Sequence, residues 1–134
     1  MAIFQTQTLS FRQEMLQGVH NLLTDTLKMA LYTSSSTINE DTTVYTTTAE
    51  VTGGSYVAGG QTITGAAISA SNGIVYVTFN NVVWTPATFT AAGGLIYNVS
   101  KGNKSIAVLS FGADKTASGT FTVQMPPNTS NSAL

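Results

Sequence analysis

The sequence predicts an all-β protein: an antiparallel β-sandwich of the jelly-roll kind, with one short N-terminal helix. Three observations carry that prediction. Ile74-Val75-Tyr76-Val77-Thr78-Phe79 is a run of β-branched and aromatic residues, side chains that pack well on a pleated, half-buried surface. Leu95–Asn98 and Ser105–Phe111 flank the polar stretch Lys101-Gly102-Asn103-Lys104, the signature of two strands and their hairpin turn. Short β-rich runs and turn residues then recur along most of the chain, and helical spacing is confined to one early stretch.

Residues 1–9 alternate, with Ile3, Gln5 and Gln7 against Phe4, Thr6 and Thr8; they read as an edge strand or extended arm before the domain at 10–125. Ser10 reads as a helix N-cap with Gln13 completing a capping box. Phe11, Met15 and Val19, beside Leu16, form one apolar stripe on the helix that follows. Leu27, Met29 and Leu31 alternate with Lys28, Ala30 and Tyr32, so the first set is expected inside and the second outside. Thr33–Thr48 is a long polar loop, functional or flexible. Glu50-Val51, Gln61–Thr64 and Ala67–Ala70 read as short strand pieces. Asn72-Gly73 is a turn signal leading into Ile74.

Val82-Val83-Trp84 continues the sheet, and Pro86 is expected to end it because proline offers no N–H to a ladder. Gly93-Gly94 is expected to bend the chain before Leu95. In the return arm, Ile106, Val108 and Ser110 face one way and Ala107, Leu109 and Phe111 the other. Gly112–Gly119 reads as a polar connector. Thr120–Met125 is the last strand, with Phe121, Val123 and Met125 on one face. Pro126-Pro127 ends it, and 126–134 is a polar tail.

At 134 residues the chain fits one domain, large enough for a core without disulfides. Charged residues are 8 % and the net charge is −1, against about 25 % charged in an ordinary soluble domain. No basic patch is present, so no nucleic-acid partner is expected. Little charge means little repulsion between copies, and a surface of Thr, Ser and Ala packs against like surfaces at small desolvation cost; self-association or lattice binding is expected. With no cysteine, thiolate chemistry and cysteine-ligated metal are excluded. The first residues lack a basic and apolar leader pattern, and no apolar run nears about 20 residues, so neither a signal peptide nor a membrane span is expected.

Candidate chemistry is thin. His20 is the only histidine; the expectation is a helix-end side chain bonded to water or backbone. Glu40-Asp41 offers oxygen ligands to a hard cation but falls short of the six or more needed. Glu14, Asp25, Glu50 and Asp114 are scattered, so no acid–base pair stands out. The glycine pairs lack the lysine or helix start of a phosphate loop and read as bends. Asn98-Val99-Ser100, Asn103-Lys104-Ser105 and Asn128-Thr129-Ser130 match the glycosylation pattern, which carries nothing without a secretory route. Trp84 reads as a core or interface residue rather than a ligand platform with Tyr97. No catalytic, cofactor-binding or metal-ligating residue is expected, and the chain does not read as an enzyme.

The order of several segments is suggestive: Glu14-Met15-Leu16-Gln17-Gly18-Val19-His20, Leu27–Ser34, Tyr45–Val51, Gly59-Gly60, Val83-Trp84, Ala91–Asn98 and Ala107–Gly112. Over roughly Phe11 to Met125 the chain resembles a group of small virion structural proteins of tailed bacteriophages. The resemblance implies a cement, or decoration, protein on the outer surface of the head, with the major capsid protein and further copies of itself (a dimer or trimer) as partners and the virion as its location. It carries over no catalytic residue. In that role the chain ends are candidate partner-binding arms that add strands to a neighbouring sheet edge: Ile3, Phe4, Gln5 and Thr6 at one end, Pro126, Pro127 and Asn128 at the other. Two other readings stand beside it: a tail or tail-fibre adaptor subunit, and a glycan-binding sandwich with Tyr32, Tyr45 and Tyr56 as sugar-stacking candidates.

Overall fold

The computed structural model describes residues 6–71 and 73–123, with the side chains of 6, 71 and 74–76 left out of the description. As expected, the protein is all-β with one short helix, and every described strand pair is antiparallel. In chain order the elements are β1 (Thr6–Gln7), α1 (Leu9–Leu16), β2 (Leu27–Tyr32), β3 (Gln61–Thr62), β4 (Ala67–Ser71), β5 (Ile74–Thr78), β6 (Val82–Ala87), β7 (Thr90–Asn98), β8 (Lys104–Thr116) and β9 (Gly119–Val123). One five-stranded sheet runs β1-β8-β7-β2-β3; β4–β5 and β6–β9 form two further pairs.

The β7–β8 hairpin lies at the centre of the large sheet, joined by a 3-10 turn (Val99–Lys101) and Gly102 in the left-handed region. The sheet packs on both faces. On one, Leu27, Met29, Leu31, Ile96 and Leu109 meet Trp84, Phe89, Phe121 and Val123 in the main core. On the other, Ala30, Tyr32, Leu95, Tyr97 and Val108 meet Ile38 and Tyr45. Ala30 and Tyr32, expected outside, are therefore buried. Their cover comes from Thr33–Thr48, expected as a long polar loop, which sets Ile38 and Tyr45 on this face. The segment is stitched by Thr33 N–H to Ala49 O (2.9 Å), Ser105 N–H to Thr43 O (2.9 Å), Tyr45 N–H to Asn103 O (2.9 Å) and Val51 N–H to Leu31 O (2.9 Å), and further on Val51 and Tyr56 join the main core on the opposite face.

Several local expectations are corrected. Thr8, not Ser10, caps α1: its backbone is extended and its Oγ1 accepts from Phe11 N–H at 3.3 Å. Ser10 Oγ lies 3.4 Å from Ser105 Oγ instead. The helix ends at Leu16, so Val19 falls outside it and only Phe11 of the stripe is buried; Leu16 is 91 % exposed. Glu50 makes an isolated bridge to Tyr32 rather than starting a strand. β6 runs on past Pro86 to Ala87, because a register shift between Trp84 and Ala87 removes the ladder bond that proline cannot make.

Gly93-Gly94 does not bend the chain. Both lie inside β7 opposite Tyr32 and Leu31, and a Cβ on Gly94 would crowd the Ala30 carbonyl at 3.2 Å. The connector expected at 112–119 is mostly strand, since β8 reaches Thr116. Ile106, expected to face away from Ala107, joins it in the main core, because the register shifts between Ile96↔Ala107 and Tyr97↔Ser105. Met125 lies outside the described residues.

Candidate functional site

Glu50 is the only charged residue between Asp41 and Lys101, and it is buried (8 % exposed). A buried carboxylate is costly unless its oxygens are bonded. Glu50 has three donors. Tyr45 Oη donates to Oε1 at 2.6 Å, and Tyr56 Oη and Gly59 N–H donate to Oε2 at 2.6 and 2.8 Å. The network continues outward from there. Tyr56 Oη accepts from Leu31 N–H at 3.0 Å in β2, Tyr97 Oη donates to Gly59 O at 2.6 Å, and Tyr32 Oη donates to Thr46 O at 2.6 Å. Tyr45 and Tyr97 stack at 4.7 Å.

Gly59 and Gly60 bring this segment against β2. Both have positive φ, and a Cβ on Gly60 would collide with the Met29 carbonyl; only glycine fits such an approach. Burial raises the Tyr97 phenol to about 12, and the Glu50 charge adds to the shift. Burial followed by the bond to Glu50 raises Tyr45 and Tyr56, and burial followed by the Glu50 charge raises Tyr32. All four phenols therefore stay protonated as donors at neutral pH, and the cluster is a clasp holding residues 45–60 to the sheet. Tyr32 and Tyr56 are buried with their hydroxyls engaged. These two therefore form no exposed platform, while Tyr45, the third of that set, is half-buried and stacked on Tyr97.

His20 lies in a second polar line, bonded to side chains rather than to water or backbone as expected. Its Nε2 is 2.8 Å from Glu14 Oε1 and its Nδ1 is 2.9 Å from Asn98 Nδ2. Asn98 Nδ2 also donates to Asp25 Oδ2 at 2.8 Å, beside the Asn21 N–H at 2.9 Å. The bond from Asn21, then Asn98, and the nearby Lys101 ammonium (3.6 Å) hold the Asp25 carboxyl below its ordinary value. The His20 side chain has no exposed surface, and both ring nitrogens are engaged. The line ties α1 and the turn after it to the end of β7.

Glu40 and Asp41 are exposed, and no group of three or more candidate metal ligands occurs among the described residues. Trp84 fills the main core at 2 % exposure, edge-on to Phe121. Of the proposed arm residues, Thr6 pairs with Val108 of its own chain; Ile3, Phe4, Gln5, Pro126, Pro127 and Asn128 lie outside the described residues.

A groove of about 520 Å³ opens between β8 and β9. Leu109, Phe111, Phe121 and Val123 form its apolar walls, and Lys115 is the one charged side chain along it. Sequence reasoning missed both this groove and the clasp. The clasp had one legible signal, a single acid in a long uncharged stretch with tyrosines on either side. The groove had none, because it depends on where β8 leaves the ladder. Compared with protein families, curated proteins and solved structures, the chain finds no match.

Proposed function

We propose that this chain is a structural subunit of a tailed-bacteriophage virion, a cement protein that binds the outer surface of the major capsid lattice and stabilises the head. The observation that carries the reading is the character of its surface. From Val51 to Ser100 no residue is charged, yet the stretch includes the β4–β5 pair and β6, with Ala67, Ile68, Ala70, Val83 and Thr88 exposed. Soluble monomers protect sheet edges with charges, lysine above all; these strands carry none. A neutral Thr/Ser/Ala surface with scattered apolar side chains adds little desolvation cost when it packs against another protein. Repeated weak contacts over a lattice then sum through effective concentration.

The sequence resemblance to small virion structural proteins supports the same reading. The test is the copy number of the chain in purified particles, by quantitative mass spectrometry against the major capsid protein. A ratio near one per capsid subunit, or a simple fraction of it, is expected. A handful of copies per particle would move the protein to the tail, and none would remove it from the virion.

A further inference from the structure

We propose that the groove between β8 and β9 is a binding site for a free straight-chain carboxylate of medium length, an amphipathic anion whose chain lies along the apolar walls and whose head meets Lys115. The proposal goes beyond the virion reading and does not rest on it. At about 520 Å³ the groove falls in the range of small-ligand sites, roughly 300–1,000 Å³. Its make-up is also theirs, apolar walls with a few polar groups.

The lining is graded along its length. β8 and β9 are joined at residues 117–118, and beside that join stand Lys115, Thr116 and Thr120. Farther along the two strands the walls are Phe111 and Leu109 on β8 and Phe121 and Val123 on β9, with Ser110 and Thr122 as neutral polar neighbours. A ligand with one charged end and a hydrocarbon body matches that order.

The apolar end is built before any ligand arrives. Leu109, Phe121 and Val123 are buried members of the main core, and half-buried Phe111 packs against them, its ring 5.9 Å from that of Phe121. Phe121 in turn packs on Phe89 at 5.3 Å. Side chains fixed in this way lose little freedom on binding, so more of the burial shows as affinity.

The sign of the head follows from charge. Lys115 is exposed, and no acidic side chain stands among the described lining residues. An ammonium with the Thr116 and Thr120 hydroxyls nearby offers donors to a carboxylate. A lone lysine also favours a free ligand over an anionic membrane surface, which recruits proteins through clusters of Lys and Arg. The whole chain has five such residues, Arg12, Lys28, Lys101, Lys104 and Lys115, and only the last lines the groove.

The test is titration of octanoate into the full chain. Binding is read by calorimetry and by the fluorescence of Trp84, the sole tryptophan, which lies edge-on to Phe121 at 6.0 Å. Hexanoate, octan-1-ol and octyltrimethylammonium are the controls. Octanoate is expected to bind about tenfold more tightly than hexanoate, from its two extra methylenes, and octyltrimethylammonium is expected not to bind. Lys115→Gln, at an exposed position, should weaken octanoate about fivefold and leave octan-1-ol unchanged. Sedimentation velocity should give the same mass with and without octanoate, and phosphatidylglycerol vesicles should not carry the chain down. Absence of octanoate binding, equal affinity for hexanoate, a cation bound as tightly as the carboxylate, or a Lys115→Gln variant that binds like the parent would each overturn the proposal. Dissociation of a dimer by octanoate would overturn it in favour of an interface between copies, and sedimentation with the vesicles in favour of a membrane surface.

Discussion

On one face of the five-stranded sheet, Leu27, Met29 and Leu31 meet Trp84, Phe89 and Phe121; on the other, Ala30, Tyr32 and Tyr97 meet Ile38 and Tyr45. The first face is covered largely by other strands and is held by hydrocarbon. The second is covered by irregular chain, held by a buried carboxylate with three donors, of which Tyr45 packs on this face and Tyr56 in the main core. A segment with no ladder of its own is thus fixed when one acid gathers donors from several of its turns. The two kinds of cover also fail differently. Apolar packing is shared over many contacts and fails globally, whereas a bonded cluster fails locally when its centre is removed.

The largest expected effect is on the apolar face. Trp84→Ala removes a 2 % exposed side chain from the main core and should cost about 3–5 kcal/mol, seen as a lower urea midpoint with one cooperative transition. Glu50→Ala comes next. It leaves the Tyr45 and Tyr56 hydroxyls and the Gly59 N–H without their acceptor, at roughly 3 kcal/mol after local water compensates in part. Hydrogen exchange separates the two cases: in Glu50→Ala, amides at Tyr56, Gly59 and Gly60 should exchange fast while β7 and β8 stay protected. Equal loss of protection throughout would erase the distinction between the faces.

How far the sequence showed this follows from the kind of cover. The β7–β8 hairpin was legible because Leu95–Asn98 and Ser105–Phe111 carry β-rich runs around a polar turn, and β9 because Phe121 and Val123 alternate with threonines. Helical periodicity located α1 but misplaced its start. Thr8 and Ser10 are both good caps, and contact with Ser105, distant in sequence, decided between them. Burial of Ala30 and Tyr32 was hidden because their cover has no period. An N-terminal arm could not be separated from the domain for the same reason: Thr6–Thr8 look polar and extended, yet Thr8 is fully buried and its hydroxyl is bonded to Ser105 of β8. Of the clasp, only the lone Glu50 among uncharged residues was visible in advance.

Alkali should act on the clasp around Glu50 first. The phenols of Tyr32, Tyr45, Tyr56 and Tyr97 are all raised in the fold, whereas an unfolded tyrosine titrates near about 10. A raised group contributes stability that is complete below its unfolded value and is lost as pH climbs toward the folded one. Stability should therefore fall as pH passes about 10, by about 1 kcal/mol at pH 11 for each phenol still protonated in the fold. Tyrosinate absorbance should rise together with loss of exchange protection over 45–60. Absorbance rising with a midpoint near 10 and no change in protection would show that these hydroxyls are not held.

The smallest and most discriminating effect separates two tyrosines on the same acid. Tyr45 Oη donates to Glu50 Oε1, and its side chain is half-buried and stacked on Tyr97. In Tyr45→Phe the ring stacking survives and water can reach the vacated oxygen, so the cost should be about 1 kcal/mol. Tyr56 Oη both donates to Glu50 Oε2 and accepts from the Leu31 N–H. Tyr56→Phe therefore strands a carboxylate lone pair and a buried backbone donor of β2 together. A buried donor without a partner costs more than a lost bond at a wet site, so the loss should be about 2 kcal/mol, read as the difference in urea midpoints of the two variants. If Tyr45→Phe proves as costly as Tyr56→Phe, the clasp is held from its outer rim rather than through β2. The second face would then owe its order to the Tyr45–Tyr97 stack.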